Sequence, residues 1–89
     1  MGVTEDINWL NDDRSGVKRT FEIIAAENSI GLRKLKTLHG SENWWPVKAY
    51  VRSLLEKGLV GESDGIYKLT EHGREVFEGA KVVEGMRQL

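Results

Sequence analysis

The chain has no cysteine and a single proline in 89 residues. The first absence excludes disulfides and thiol-ligated metal centres. The second leaves Pro46 as the one residue that constrains a helix start through its missing N–H. No apolar run approaches the roughly 20 residues needed to cross a bilayer. The N-terminus lacks the basic-then-apolar pattern of a secretion signal. An N-myristoylation motif after Met1-Gly2 would want Ser or Thr where Asp6 stands. Together these absences lead to the expectation of a cytoplasmic protein with no membrane partner.

Catalytic signatures are missing as well. The sequence contains no Gly-rich phosphate loop ending in Gly-Lys-Ser/Thr, no His-Glu-x-x-His and no Gly-x-Ser-x-Gly. His39 and His72 have no companion ligand at metal spacing. The bland roles are expected for both: His39 as a polar turn residue, His72 as a solvent-facing residue near a helix start. The expectation is a non-enzymatic domain with no cofactor and no metal.

What is present is ordinary in amount and uneven in placement. The chain is 39% hydrophobic and 30% charged, with a net charge of −1, which suits one domain with one modest core. Residues 1–16 carry four acids and one base, and residues 17–29 balance. Residues 30–57 carry six bases (Arg33, Lys34, Lys36, Lys48, Arg52 and Lys57) against Glu42 and Glu56, a block of +4. Residues 58–89 return to −2. A local positive block on a weakly acidic chain is the footprint that a phosphate backbone attracts.

Hydrophobic spacing sets the elements. Thr4-Glu5-Asp6-Ile7 can open a short helix with Thr4 as cap, resting Ile7 and Leu10 on the main body; the simplest expectation for residues 1–16 is a loosely attached extension. Val17 to Glu27 reads as a helix capped by Ser15, with Val17, Phe21, Ile24 and Ala25 on one stripe. Asn28-Ser29 ends it, and Ile30 fits a stub of strand. Gly31 to Leu38 reads as a short helix with Leu32, Leu35 and Leu38 inward and Arg33, Lys34, Lys36 and Thr37 in solvent. Pro46 is tolerated only in a first turn, so the next helix starts with Asn43 as cap, or at Trp45. Its buried face is Val47, Tyr50, Val51, Leu54 and Leu55. Gly58 suits a left-handed helix stop. Leu59–Glu62 and Ile66–Leu69 flank Asp64-Gly65, the strongest short hairpin signal. Thr70 is placed to cap a last helix running to Leu89, in which Gly73, Gly79 and Gly85 each cost about 1 kcal/mol relative to Ala.

Two strings in this order, Leu54-Leu55-Glu56-Lys57-Gly58-Leu59-Val60 and Tyr67-Lys68-Leu69-Thr70-Glu71-His72-Gly73, resemble winged helix-turn-helix DNA-binding domains of the MarR-like, PadR-like and small archaeal regulator types. The resemblance spans roughly residues 17–80. It implies an α+β fold, mainly α with a small β-hairpin. The expected domains are an N-terminal extension or short helix over 1–16, a winged helix-turn-helix core over 17–70, and a C-terminal helix over 71–89.

By the same resemblance, Arg33, Lys34 and Lys36 would hold phosphates, and residues 43–57 would form the recognition helix. Trp44 or Trp45, with Lys48, Ala49, Arg52 and Ser53, would make up its outer face. Arg52 would pair with guanine or hold a phosphate, Lys48 would meet a phosphate, and small Ala49 and Ser53 would allow close approach. Adjacent residues on a helix point about 100° apart. One tryptophan is therefore expected near Leu38, and the other is left for stacking or for a protein interface. In the wing, Lys68 is the only basic candidate, and Glu62 and Asp64 depart from the DNA-binding pattern.

Val82, Val83, Met86 and Leu89 extend apolar character beyond the domain core and suggest a homodimer contact. The expected function is sequence-specific binding of double-stranded DNA in transcriptional regulation. The alternative is a winged-helix module that docks on another protein.

Overall fold

A computed structural model describes residues 2–40 and 44–87, with side chains described for all of these except 44–45 and 83–87. In chain order the elements are α1 (Val3–Asn11), α2 (Val17–Glu27), β1 (Ile30–Gly31), α3 (Leu32–His39), α4 (Trp44–Glu56), β2 (Val60–Ser63), β3 (Ile66–Leu69) and α5 (Glu71–Arg87). The three strands form one antiparallel sheet in the order β1-β3-β2. The result is an α+β, winged-helix-like fold.

The core lies where α2, α3 and α4 meet the sheet and α5. Phe21 and Ile24 of α2, Leu35 of α3, Val47, Val51 and Leu54 of α4, Leu59 and Val76 are all buried. Each large aliphatic side chain so placed stabilises the fold by about 1.5–3 kcal/mol. Two expected core positions are exposed. Leu38 is 41% exposed and Leu55 is 37% exposed. Leu38 lies one turn beyond Leu35, near the open end of a helix of only two turns. Leu55 lies beside the helix stop, where Leu54 alone faces inward.

Local chemistry fixes the joints. Gly58 has φ +73°. The Leu59 N–H donates to the Leu54 carbonyl and the Gly58 N–H to the Leu55 carbonyl, both at 3.1 Å. This pair of bonds is the Schellman arrangement that closes a helix on a left-handed glycine. Asp64 and Gly65 both have positive φ, 53° and 79°, as a two-residue type I′ hairpin requires. They set the β2–β3 register, with Ser63 opposite Ile66 and Glu62 opposite Tyr67. Ile30 pairs with Tyr67, so the strand stub before α3 makes β3 the central strand. Thr70 caps α5: its Oγ accepts from the Gly73 N–H at 2.9 Å and donates to the Gly58 carbonyl.

Three joints differ from expectation. Helix α1 is not a loose extension. Ile7 and Leu10 belong to the core, and Gly79 of α5 leaves room for Ile7 and Val3. It begins at Gly2 rather than on a Thr4 cap. Helix α2 is capped not by Ser15 but by Asp13. The Asp13 carboxylate accepts from the Ser15 N–H (2.8 Å), the Ser15 hydroxyl (2.8 Å), the Gly16 N–H (3.0 Å) and the Lys18 N–H (2.8 Å). Gly16, at φ +99°, turns the chain so that this carboxylate reaches the open N–H groups of the helix. Finally, Gly73 is more than a helix-weakening residue: a Cβ there would lie 1.9 Å from the Leu59 carbonyl oxygen. The close approach of α5 to the start of β2 requires glycine.

Candidate nucleic-acid interface

Helix α4 presents one face to the core and the opposite face to solvent. Val47, Val51 and Leu54 fill the inner face. On the outer face Lys48, Ala49 and Arg52 are exposed and Ser53 is half-buried. Pro46 stands third in the helix, where its absent N–H has no partner to lose. The proposed cap, Asn43, lies outside the described residues, as do the side chains of Trp44 and Trp45. The two four-residue steps, Lys48 to Arg52 and Ala49 to Ser53, stack these side chains a turn apart. Together they line a concavity of about 360 Å³. The Ser53 hydroxyl is turned back onto the Ala49 carbonyl at 3.3 Å, which narrows the side chain's profile.

The structure sorts the other expected contacts. On α3, Arg33 is exposed and Lys36 half-buried. Lys34 reaches back to α2, where its Nζ lies 3.3 Å from Glu27 Oε1. Among the described residues, no carboxylate lies within salt-bridge distance of Arg33, Lys36, Arg52 or Lys68. Lys68 is exposed on β3, opposite Gly61. Lys57 belongs to the +4 block but is drawn to α1, its Nζ 3.9 Å from Asp6 Oδ1 and 5.0 Å from the centre of the Trp9 ring. Of the proposed dimer residues, Val82 is 63% exposed; the side chains of Val83, Met86 and Leu89 lie outside the described residues.

One flank of α4 is braced by the end of α3 and the α1–α2 loop. The His39 ring stacks on Tyr50, with centroids 5.6 Å apart and planes at 29°. His39 Nε2 lies 3.4 Å from the Gly16 carbonyl oxygen. His39 therefore ties three elements together and is more than a turn residue.

His72 also departs from expectation. Its Nε2 lies 2.6 Å from Asp6 Oδ2, and Asp6 is 1% exposed. No signal in the sequence links two residues so far apart. The Asp13 cap did have one, because an Asp two residues before a Ser and three before a Gly is the pattern of an Asx turn.

Two groups have shifted proton affinities. Burial pushes the Asp13 carboxyl up, but the hydrogen bonds from Lys18, Ser15 and Gly16 outweigh it and hold the group below its ordinary value. In the wing, burial raises the Tyr67 phenol, and the Glu62 carboxylate opposite it raises it further.

Comparison with known proteins bears on the fold. No protein-family model matches the chain. No curated protein matches its sequence. Among solved structures, the chain is similar to the activation domain of the phage T4 transcription factor MotA, with a TM-score of 0.78 over 98% of this chain and 94% of that one, at 17% identity. At that identity the likeness is one of fold. No helix among the described residues is long and apolar enough to cross a membrane, and none of them form a group of three or more potential metal ligands.

Proposed function

We propose that this domain is a non-enzymatic module of transcriptional regulation that binds double-stranded DNA, as winged helix-turn-helix regulators of the MarR-like and PadR-like types do. The exposed face of α4 would enter the major groove. The observation that carries the proposal is Arg52: it is exposed, has no carboxylate partner among the described residues, and stands one turn from Lys48 beside small Ala49 and Ser53. A planar guanidinium in that position can bond a guanine edge or a phosphate in bidentate fashion. Arg33 and Lys36 on α3 and Lys68 on the wing would add phosphate contacts. One of Trp44 and Trp45, at the start of the helix, would supply stacking area. A second copy would meet the first through the distal part of α5, where Val82 is exposed.

A mobility-shift series over varied duplexes, repeated across a range of salt, tests this. Binding should fall steeply with salt. Arg52→Ala should weaken it by roughly tenfold or more. Absence of binding to any duplex at low salt would defeat the proposal.

The wing favours a second reading, a protein-docking module. Its strands and turn carry Glu62 and Asp64, which would repel phosphate, and Ile66 is 42% exposed. The similar MotA domain is an activation domain, and one fold serves both roles. Failure to bind DNA, with a protein partner that crosslinks to the wing or to α4, would favour this reading.

A further inference from the structure

We infer that the α1–α2 loop is a second contact for the DNA backbone, with Arg14 holding a phosphate beside the α4 face; this rests on the DNA-binding proposal above. The loop lies directly against α4. Ser53 forms a shared wall between the α4 concavity and a neighbouring one of about 260 Å³, whose lining includes Trp9, Asp12, Asp13, Arg14 and Ser15. A Cβ placed on Gly16 would lie 3.0 Å from Tyr50 Cε2. The loop's own hydrogen bonds hold its shape, because the Asp13 carboxylate takes four donors from residues 15–18. Asp13 is therefore a positioning residue, and its charge is largely satisfied by donors of the loop itself and the Lys18 N–H of α2.

Arg14 is the exposed cation of this loop, and no carboxylate among the described residues lies within salt-bridge distance of it. A cation on a pre-shaped loop gives up little freedom on meeting a phosphate. Arg14 would place a cation to one side of the α4 face, the direction in which a duplex backbone flanks a helix seated in the groove. Asp12, exposed two residues before Arg14 and lining the same cavity, works against the contact and supplies a change of opposite sign.

The test compares Arg14→Ala, Arg14→Lys, Asp12→Asn, Arg52→Ala and the charge-matched control Lys81→Ala, each checked for folding by circular dichroism. Affinity for a mixed-sequence duplex is measured by fluorescence anisotropy across a salt series. Arg14→Ala should weaken binding by roughly three- to tenfold, equally for all sequences. It should also lower the slope of log affinity against log salt by about one. Arg14→Lys should restore most of both, and Asp12→Asn should tighten binding. If Arg52→Ala weakens binding and Arg14→Ala changes neither affinity nor slope, the loop contact is overturned and the α4 reading stands. If Lys81→Ala weakens binding as much as Arg14→Ala, the effect is one of net charge and the loop contact is likewise overturned. If the unaltered protein binds no duplex, both proposals fall.

Discussion

His72 Nε2 lies 2.6 Å from Oδ2 of Asp6, a residue 66 positions earlier in the chain and almost wholly buried. The contact joins the start of α5 to the middle of α1. Lys57, just past the end of α4, adds its charge at 3.9 Å. A buried carboxylate is tolerated only with such partners, because desolvation penalises the charge strongly. The partners themselves keep some contact with water, with side chains 29% and 34% exposed.

Removing His72 should therefore do more harm than its own exposure suggests. His72→Ala leaves the Asp6 carboxylate buried with one distant cation, and the expected loss is about 2–4 kcal/mol. Asp6→Ala instead leaves two side chains, His72 and Lys57, that water can reach, so it should cost less than His72→Ala. Urea denaturation of both variants checks the order, and equal losses would contradict this account of the cluster.

Gly73 and Gly79 should respond to alanine in opposite degrees, although both lie in α5. Alanine ordinarily stabilises a helix interior by about 1 kcal/mol over glycine. At Gly73 the new Cβ would meet the Leu59 carbonyl at 1.9 Å, a backbone atom that moves only if β2 or α5 shifts. Gly73→Ala should cost about 4 kcal/mol or more, or prevent folding. At Gly79 the nearest atoms are the side-chain ends Ile7 Cδ1 (3.0 Å) and Val3 Cγ1 (3.3 Å). Those ends can turn aside, so Gly79→Ala should stay within about 1 kcal/mol of the unaltered protein. Thermal melts of the two variants make the comparison.

Asp13 should make stability depend on acid. Its carboxyl titrates below the ordinary value in the folded protein. The stabilisation is then fully present above the unfolded value of about 3.9 and is lost as pH falls through the lower folded value. Asp13→Ala should cost about 1–2 kcal/mol near neutral pH, the usual range for a lost N-cap. The difference between it and the unaltered protein should shrink in acid. Denaturation curves at several pH values test this, and a constant difference would exclude the cap as its source.

Tyr67 makes the opposite prediction at the alkaline end. Its phenol is held above the ordinary value of about 10, first by burial and then by Glu62. The folded state prefers the neutral form, so its contribution is complete below the unfolded value and is lost as pH rises through the folded one. Glu62→Gln should lower the Tyr67 titration midpoint without returning it to the ordinary value, because burial remains. Phenolate absorbance in the two proteins measures this, and an unchanged midpoint would remove the cross-strand charge as a cause.

The sequence by itself determined the elements whose causes are local. The Gly58 stop, the Asp64-Gly65 turn and the Thr70 cap depend on the backbone preferences of single residues and their near neighbours. The stripe of Val47, Val51 and Leu54 and the outward Lys48 and Arg52 follow from helical spacing alone.

Only the tertiary structure decided which charges stay available. Lys34 and Lys57 belong to the same positive block as Arg52, yet folding brings one to Glu27 and the other to Asp6. It likewise set Arg14 beside Ser53 and made Gly73 indispensable. The physical reason is the same in each case. Helical spacing says which side of an element a residue occupies, but a pairing between elements depends on how they cross, and that is fixed by the packing of the whole core.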